Sequence, residues 1–333
     1  MNNHNSAFAE EIQSLFIVQT PFQAMCAINA IRQLHIKDYT LSLHLHKSTE
    51  KRNKQTVEIV ERYGLKYHIE DLKPLSLKDR MRLMFERNGK YNRVFLGTHL
   101  YQEGYYYALK ELKNNSNLVL LDDGIATLSL LESGYQVKGR SVAYMALYKT
   151  IASLRGIIIN NVLTVYRGVD NPKWNIELND ISQLRQPGMS AERKNVFFIG
   201  TNNSGFIREG VNENSFKENL YNCLKRVKKE YPLDDIIYIP HGRDKSEFAK
   251  KYCVEMGIEY KPLDVNVEIY ILSLGYIPKA IYGFTSSALY NLKKIFPESE
   301  VNNIVMRLLT VNSPSILEAS GYYEKQGISA IYV

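Results

Sequence analysis

The sequence Leu118-Val-Leu-Leu-Asp122-Asp123-Gly124 joins a short run of branched apolar residues directly to two acids and a glycine. A run of this length, flanked by turn formers, is typical of a buried strand. If that strand is parallel, the two acids lie at its carboxyl end, where open α/β sheets bind their ligands. Neighbouring carboxylates repel each other, and partial burial would raise the pKa of at least one toward that of a general base. A solvated strand-to-turn junction would use the same residue types, and the spacing alone does not exclude it.

Patterns on either side of this stretch alternate between strand and helix, which is typical of a parallel sheet with crossover helices. Strands are predicted before it at 15–19, 41–46, 66–69 and 93–96. Residues 168–193 are rich in Pro, Gly, Asn and Ser without a clear period, so we expect a linker there. A second alternation begins at Asn195. We therefore predict two α/β domains, residues 1–185 and 190–333, with a ligand cleft between them.

The composition is that of an ordinary soluble globular protein, with 45% hydrophobic and 23% charged residues in a chain of 333. A formal net charge of +7 favours acidic partners such as nucleotides, anionic sugars, a membrane surface or nucleic acid. A basic surface without a particular partner is an equally good explanation. The lysines are spread over predicted helices and do not form a patch with aromatic residues, so we expect no nucleic-acid partner.

The cysteines and the amino-terminal region point to a reducing compartment. Cys26, Cys223 and Cys253 are widely spaced and form no C-x-x-C pair, which disfavours zinc and a disulfide framework. Residues 1–13 are predicted to be a disordered leader. The apolar stretch from Leu15 has no basic leader and is soon interrupted by polar residues, so it fits neither a signal peptide nor a membrane span. We expect a cytoplasmic protein, or a peripheral one at most.

Three polar stretches follow predicted strands in the second half of the chain, and each is a candidate for binding a nucleotide. They are Gly200-Thr201-Asn202-Asn203, His241-Gly242-Arg243 and Ser286-Ser287. Glycine lets a backbone approach a base or ribose closely, an imidazole beside a guanidinium suits a leaving phosphate, and a capped helix start offers free amides to an anion. Each also has a plain structural explanation, as a loop, a structural histidine or a helix cap. Together they predict a nucleotide subsite.

Several nucleotide-binding motifs are missing from the sequence. It has no G-x-G-x-x-G and no G-K-[ST], which argues against a dinucleotide enzyme and a P-loop enzyme. It also has no D-x-D, so a metal bridging a nucleotide diphosphate is not indicated. A nucleoside monophosphate leaving group would need no such metal, and we predict no metal site.

In this combination the chain resembles the bacterial sialyltransferases of lipooligosaccharide and capsule synthesis. That group shares an acidic D/E-D/E-G motif, an H-P motif and a paired Ser/Thr motif, in that order. The corresponding residues here are Asp122-Asp123-Gly124, Pro240-His241-Gly242-Arg243-Asp244 and Ser286-Ser287, with the opening Phe16-Ile-Val-Gln-Thr-Pro-Phe-Gln23 similar to the lipooligosaccharide branch. Gly242 replaces the proline of the H-P motif, which puts the loop shape and the sugar specificity in question.

The resemblance implies a GT-B architecture, in which two Rossmann-like domains with parallel sheets face a cleft, the first binding the acceptor and the second the CMP-sugar. It implies an inverting, metal-independent transfer of sialic acid from CMP-sialic acid, without a cofactor. The acceptor would be a terminal sugar, with a leaning to galactose and an α-2,3 bond, on a bacterial surface glycan or glycolipid such as lipooligosaccharide or capsule. A homodimer and loose attachment to the inner face of the plasma membrane are compatible with it.

The resemblance also implies roles for the candidate residues. Asp123 would take the proton from the acceptor hydroxyl and Asp122 would orient or tune it, although the spacing does not show which of the two is the base. His241 would donate a proton or a hydrogen bond to the departing phosphate. The remaining expected contacts are Ser286 and Ser287 to the phosphate; Gly200, Thr201, Asn202 and Asn203 to the cytidine; Gly242 and Arg243 to the donor; and Gln19, Thr20 and Gly124 on the acceptor side.

Two other readings remain open from the sequence. One is a related glycosyltransferase that uses another CMP-linked nonulosonic acid or a nucleotide-hexose donor. The other is a non-catalytic nucleotide or glycan binder on the same fold.

Overall fold

A computed structural model describes most of the chain, in two compact units, Met1–Asp180 and Ile181–Val333. The described residues are 13–46, 49–72, 75–97, 103–132, 140–185, 188–208, 210–232, 234–244, 246–307 and 313–333. Apart from Gln13, the predicted leader lies outside them.

The first unit contains a seven-stranded sheet in the order β3-β2-β1-β4-β5-β6-β7, and every pair of neighbouring strands is parallel. Its strands are β1 (Ser14–Val18), β2 (Tyr39–His46), β3 (His68–Leu72), β4 (Tyr91–Leu96), β5 (Leu112–Leu120), β6 (Ile158–Thr164) and β7 (Asn175–Leu178). Its helices are α1 (Pro21–Gln33), α2 (Glu50–Arg62), α3 (Leu77–Phe85), α4 (Gly104–Glu111), α5 (Ile125–Glu132) and α6 (Arg140–Leu154). The strand order reverses between β1 and β4, the point at which such sheets bind ligands.

The second unit repeats this plan with six parallel strands in the order β10-β9-β8-β11-β12-β13. The strands are β8 (Arg193–Ile199), β9 (Ile236–Ile239), β10 (Glu259–Tyr260), β11 (Ile277–Phe284), β12 (Glu300–Val305) and β13 (Ser329–Tyr332). The helices are α7 (Asn203–Arg208), α8 (Glu213–Glu230), α9 (Phe248–Met256), α10 (Val267–Ser273), α11 (Ser287–Ile295) and α12 (Pro314–Lys325). The prediction of an α/β fold with two Rossmann-like parallel sheets is confirmed.

The central strands form the core of each unit. All five residues of β1 are buried, and Phe16 stacks on Phe95 of β4 with ring centroids 4.3 Å apart. In the second unit Phe198 and Phe284 belong to one cluster of buried aromatic and aliphatic side chains. Such continuous apolar strands are expected when helices cover both faces of a parallel sheet.

The expected linker is partly wrong, because residues within 168–193 form regular structure. Asn175–Leu178 is strand β7, which pairs in parallel with β6. Residues 181–184 form a short 3-10 helix that packs against α11. Four residues inside a segment rich in proline and glycine carry too little periodicity to predict a strand.

Two further features concern the possibility of a membrane span and the role of Cys26. No described helix has both the length and the apolar character needed to cross a membrane. Cys26 is completely buried in α1, in agreement with the apolar pattern around it.

Candidate active site

The acidic pair follows a parallel strand, as the sequence predicts. β5 pairs in parallel with β4 on one side and with β6 on the other, and it ends at Leu120. Leu118, Val119 and Leu120 are buried, so the strand end is fixed by the core. Asp122 and Asp123 therefore lie at the carboxyl edge of the first sheet, where the loops of a Rossmann-like unit bind ligands.

Asp122 is completely buried, and both of its carboxylate oxygens accept hydrogen bonds from the protein. The Thr164 hydroxyl donates to Oδ1 and the Val165 backbone N–H donates to Oδ2, each at 2.7 Å. Burial raises the pKa of Asp122 to about 7, although these two hydrogen bonds oppose the rise and the charge of Asp123 adds to it. Asp122 thus ties the end of β5 to the end of β6.

Asp123 is partly exposed and has different contacts. Its Oδ1 accepts a hydrogen bond of 2.8 Å from Nε2 of Gln23, and its backbone N–H donates to the Thr127 hydroxyl in α5 at 2.7 Å. Burial raises the pKa of Asp123, while the Gln23 hydrogen bond and the Arg52 guanidinium lower it. A reachable carboxylate with a raised pKa has the properties of a general base.

Gln23 is a residue that the sequence analysis missed. Its Oε1 accepts a 2.8 Å hydrogen bond from the Gln19 backbone N–H, and an amide N–H can only donate. The side-chain amide is therefore oriented with Nε2 toward Asp123. A Cβ on Gly97, at the end of β4, would lie 2.8 Å from the Gln23 Cβ, so glycine is needed there for the helix to approach. The Gln23 side chain is buried and held on two sides.

The residues expected on the acceptor side lie around the same edge. Gln19 follows β1 and is buried, and Thr20 is the N-cap of α1, where its hydroxyl accepts from the Gln23 N–H at 3.2 Å. Gly124 has a φ of 65°, the left-handed turn that lets α5 start directly after the acidic pair.

In the second unit the glycine loop follows β8, at the point where the strand order reverses. Gly200 donates its N–H to the Ile239 carbonyl at 2.8 Å, and a Cβ there would lie 2.6 Å from the Tyr238 hydroxyl. Thr201 and Asn202 are partly exposed. Asn203 begins α7 and is buried, and its Oδ1 has no hydrogen-bond partner among the residues that the structure describes.

His241 directly follows β9 and Pro240, and its ring is held by its own loop. The Arg243 backbone N–H donates to Nδ1 at 3.1 Å, so the proton of the neutral ring is on Nε2. Burial, with a smaller contribution from Arg243, lowers the pKa of His241 to about 4, and Asp244 opposes this. The imidazole is therefore neutral at pH 7 and can donate a hydrogen bond from Nε2. Gly242 and Arg243 are exposed.

Ser286 is the N-cap of α11, which is the structural role considered for it from the sequence. Its hydroxyl oxygen accepts from the Ala288 N–H at 3.3 Å and keeps its own O–H as a donor. Ser287 is the first residue of the helix and is partly exposed. The neighbouring Thr285 hydroxyl lies 3.3 Å from that of Ser320.

The fold gathers the candidates into two groups, one in each unit. In the first unit Gln23 links the loop after β1 to the acidic pair. In the second, the three polar stretches follow β9, β8 and β11, which are adjacent in the sheet. Within the described part of the chain, no group of three or more His, Cys, Asp or Glu side chains could hold a metal ion.

Comparison with known proteins gives the fold. No family model and no curated protein matches the chain. Among solved structures it is similar to S. aureus MnaA in complex with UDP, at 12% identity and a TM-score of 0.50, over 93% of this chain and 87% of that one. It is also similar to the 2,6-sialyltransferase of Photobacterium sp. JT-ISH-224 in complex with CMP and lactose, at 11% identity and a TM-score of 0.51, over 96% and 78%. The chain therefore has a glycosyltransferase-like fold of the GT-B kind.

Proposed function

We propose that the protein is an inverting, metal-independent glycosyltransferase that moves sialic acid from CMP-sialic acid to a sugar hydroxyl of a surface glycan. The observation that carries the proposal is the difference in environment between the two residues of the acidic pair. Asp122 uses both carboxylate oxygens inside the protein, whereas Asp123 is partly exposed with a raised pKa. This arrangement supports Asp123 as the base and Asp122 as the residue that positions it.

The proposed reaction is a single displacement. Asp123 takes the proton of the acceptor hydroxyl, and the acceptor oxygen forms a bond to the anomeric carbon of the sialic acid. The bond from that carbon to the phosphate oxygen breaks, and its electron pair leaves with CMP. The transition state is oxocarbenium-like, so a nearby carboxylate also stabilises its positive charge. Attack on the face opposite the leaving group inverts the configuration.

The second unit supplies groups suited to a departing nucleoside monophosphate. His241 is neutral and donates from Nε2, which would stabilise the phosphate without a proton being transferred. The O–H of Ser286 and the free amides at the start of α11 would hold the same phosphate. The buried Oδ1 of Asn203 could accept a hydrogen bond from the cytidine. The net charge of +7 suits a donor with a phosphate and a carboxylate.

The deciding experiment measures CMP release from CMP-sialic acid in the presence of a lactoside acceptor. Asp123→Asn should lower the rate by about 10²–10⁴-fold, the usual contribution of a general base. Its affinity for CMP should stay unchanged, because the proposed CMP contacts are in the other unit. Asp38→Asn removes an exposed carboxylate of the same unit and should keep full activity.

Three results would overturn the proposal. Normal turnover of Asp123→Asn would remove the proposed base. A thermal shift with UDP but none with CMP would place the protein among the nucleotide-hexose enzymes instead. Binding of CMP-sialic acid without either transfer or hydrolysis would favour a non-catalytic binder.

A further inference from the structure

The connection between β6 and β7 differs from the other connections of the first sheet. Each of the others contains at least one helix, whereas residues 165–174, all of them described, contain only turns and bends. One face of β7 therefore has no crossover helix over it. A cavity of about 300 Å³ lies there, at the small end of the range for small-molecule pockets. Its lining includes Tyr166, Arg167, Asp170, Trp174, Ile176 and Leu178.

The lining of this cavity is amphipathic. Ile176 and Leu178 alternate along β7 and so point to the same face, and the partly buried Trp174 precedes them at the same spacing. Arg167 and Asp170 are exposed and supply hydrogen-bond donors and acceptors. A sugar ring has the complementary form. Its C–H groups carry a small positive charge that suits the negative face of an aromatic ring, while its hydroxyls bond to charged side chains at the rim.

The charges in the cavity favour a neutral ligand. The Arg167 guanidinium lies 3.0 Å from an Asp180 carboxylate oxygen, so its charge is already balanced. Asp170 adds a further carboxylate to the lining. A phosphate or a carboxylate would meet no excess of positive charge here, whereas neutral hydroxyls can bond to both the guanidinium and the carboxylate.

The loop that forms the cavity is tied to the acidic pair. Val165, whose N–H donates to Asp122, immediately precedes Tyr166 in the cavity wall. Further along, the Asn171 side chain donates at 2.6 Å to the carbonyl of Leu131 in α5, the helix that follows Gly124. The loop after β6 and helix α5 thus contact both the cavity wall and the acidic pair.

We propose that this cavity is a binding subsite for a neutral sugar ring of the acceptor glycan, with the ring stacked on Trp174. The assignment of that sugar as the acceptor rests on the proposed function. The binding itself can be measured without any transfer.

The fluorescence of tryptophan tests the subsite directly, because Trp174 is the only tryptophan of the chain. Lactose, titrated into the full-length protein, should change the emission in a saturable way, and CMP at saturation should not. If lactose is used as an acceptor but leaves the emission unchanged at every concentration, the subsite is wrong. If lactose changes the emission although no CMP-sugar is transferred, the subsite stands and the proposed transferase activity fails.

Variants give a second test with a different readout. Trp174→Ala should raise the KM for a lactoside about 10-fold, the loss expected for one stacked aromatic ring, with kcat and the Kd for CMP unchanged. Trp174→Phe retains a ring and should keep most of the affinity. Tyr332→Ala removes an exposed aromatic side chain from an edge strand of the other sheet and should leave the KM as it is. An unchanged KM in Trp174→Ala would overturn the proposal.

Discussion

The carboxyl edges of the two sheets hold their candidate residues by different kinds of contact. In the first unit Asp123 bonds to Gln23, which is 100 residues away in sequence, and Asp122 bonds to Thr164, which is 42 away. In the second unit, the hydrogen bonds to the side chains of His241 and Ser286 come from backbone amides only two residues further along.

Because the contacts differ, substitutions at the two edges should have different effects. The acidic pair depends on the tertiary structure of the first unit, which buries it and raises its pKa values. Changes there should alter stability and pH dependence. In the second unit, His241 and Ser286 are held by their own loops and keep hydrogen-bonding groups for a ligand. Changes there should alter affinity for CMP, with smaller effects on folding.

The largest effect on stability is expected at Asp122. Burial raises the pKa of Asp122 from the ordinary 3.8 to about 7 in the folded protein, so the folded state binds the proton more tightly. The stabilisation is fully present below about pH 4 and is lost as the pH rises through 7, on the order of 4 kcal/mol in total, of which roughly 2–3 kcal/mol is lost between pH 5 and pH 8. Asp122→Asn cannot ionise and should lack this dependence. Denaturant unfolding at pH 5 and pH 8 measures the difference.

One result of this unfolding experiment would contradict the contrast between the two sheet edges. If the wild type and Asp122→Asn lose stability in parallel between pH 5 and pH 8, ionisation of the buried Asp122 carboxyl does not cause the pH dependence of the stability. Asp38→Asn, at an exposed position, is the matched control and should follow the wild type.

The contrast between local and distant contacts also explains what the sequence could reveal. The apolar run before Asp122 and the N-cap at Ser286 are signals within a few residues, and both predictions are confirmed. The bounds of strand β9, Ile236–Ile239, coincide with a compact apolar run in the sequence. Gln23 lies in a different helix from the acidic pair, and nothing local in the sequence indicates its contact with Asp123.

Two other elements of the fold, α5 and β7, could not be predicted from the sequence for related reasons. Helix α5 follows Gly124 directly and is apolar on several sides, so its helical period is weak, and no element was predicted there. β7 is short and lies inside a turn-rich segment, so the cavity beside it and the position of Trp174 could not be predicted.

At His241 we expect the largest loss of affinity for CMP. A hydrogen bond to a charged phosphate contributes about 1.5–3 kcal/mol, so His241→Ala should weaken CMP binding by roughly 10- to 150-fold in calorimetry. NMR titration of the ligand-free protein should give the ring a pKa of about 4. His68→Ala, at an exposed position of the first unit, is the control. An unchanged Kd, or a titration near 6.5, would show that His241 is an ordinary surface histidine.

At Gln23 the expected effect is a shift in pH dependence. Gln23→Glu keeps the acceptor for the Gln19 N–H but replaces the donor to Asp123 with a second carboxylate. Both the lost hydrogen bond and the like charge raise the pKa of Asp123, so the acidic limb of the kcat/KM profile should move to higher pH. Gln23→Met loses only the hydrogen bonds and should move it less. A lower melting temperature with an unmoved limb would mean that Gln23 serves packing alone.

The smallest effects are expected at Ser286 and Ser287, and they test whether the second edge is more than a helix cap. Ser286→Ala removes the cap of α11 and should cost about 1 kcal/mol of stability. Ser287 makes no capping bond, so Ser287→Ala should change stability by less than about 0.5 kcal/mol. If both hydroxyls contact phosphate, each variant should also weaken CMP binding about 5-fold. A Ser287→Ala variant with unchanged stability and weaker CMP binding can be explained only by contact with the ligand. Full CMP affinity in both variants would mean that Ser286 serves only as the N-cap of α11, and the contrast between the two edges would then rest on His241.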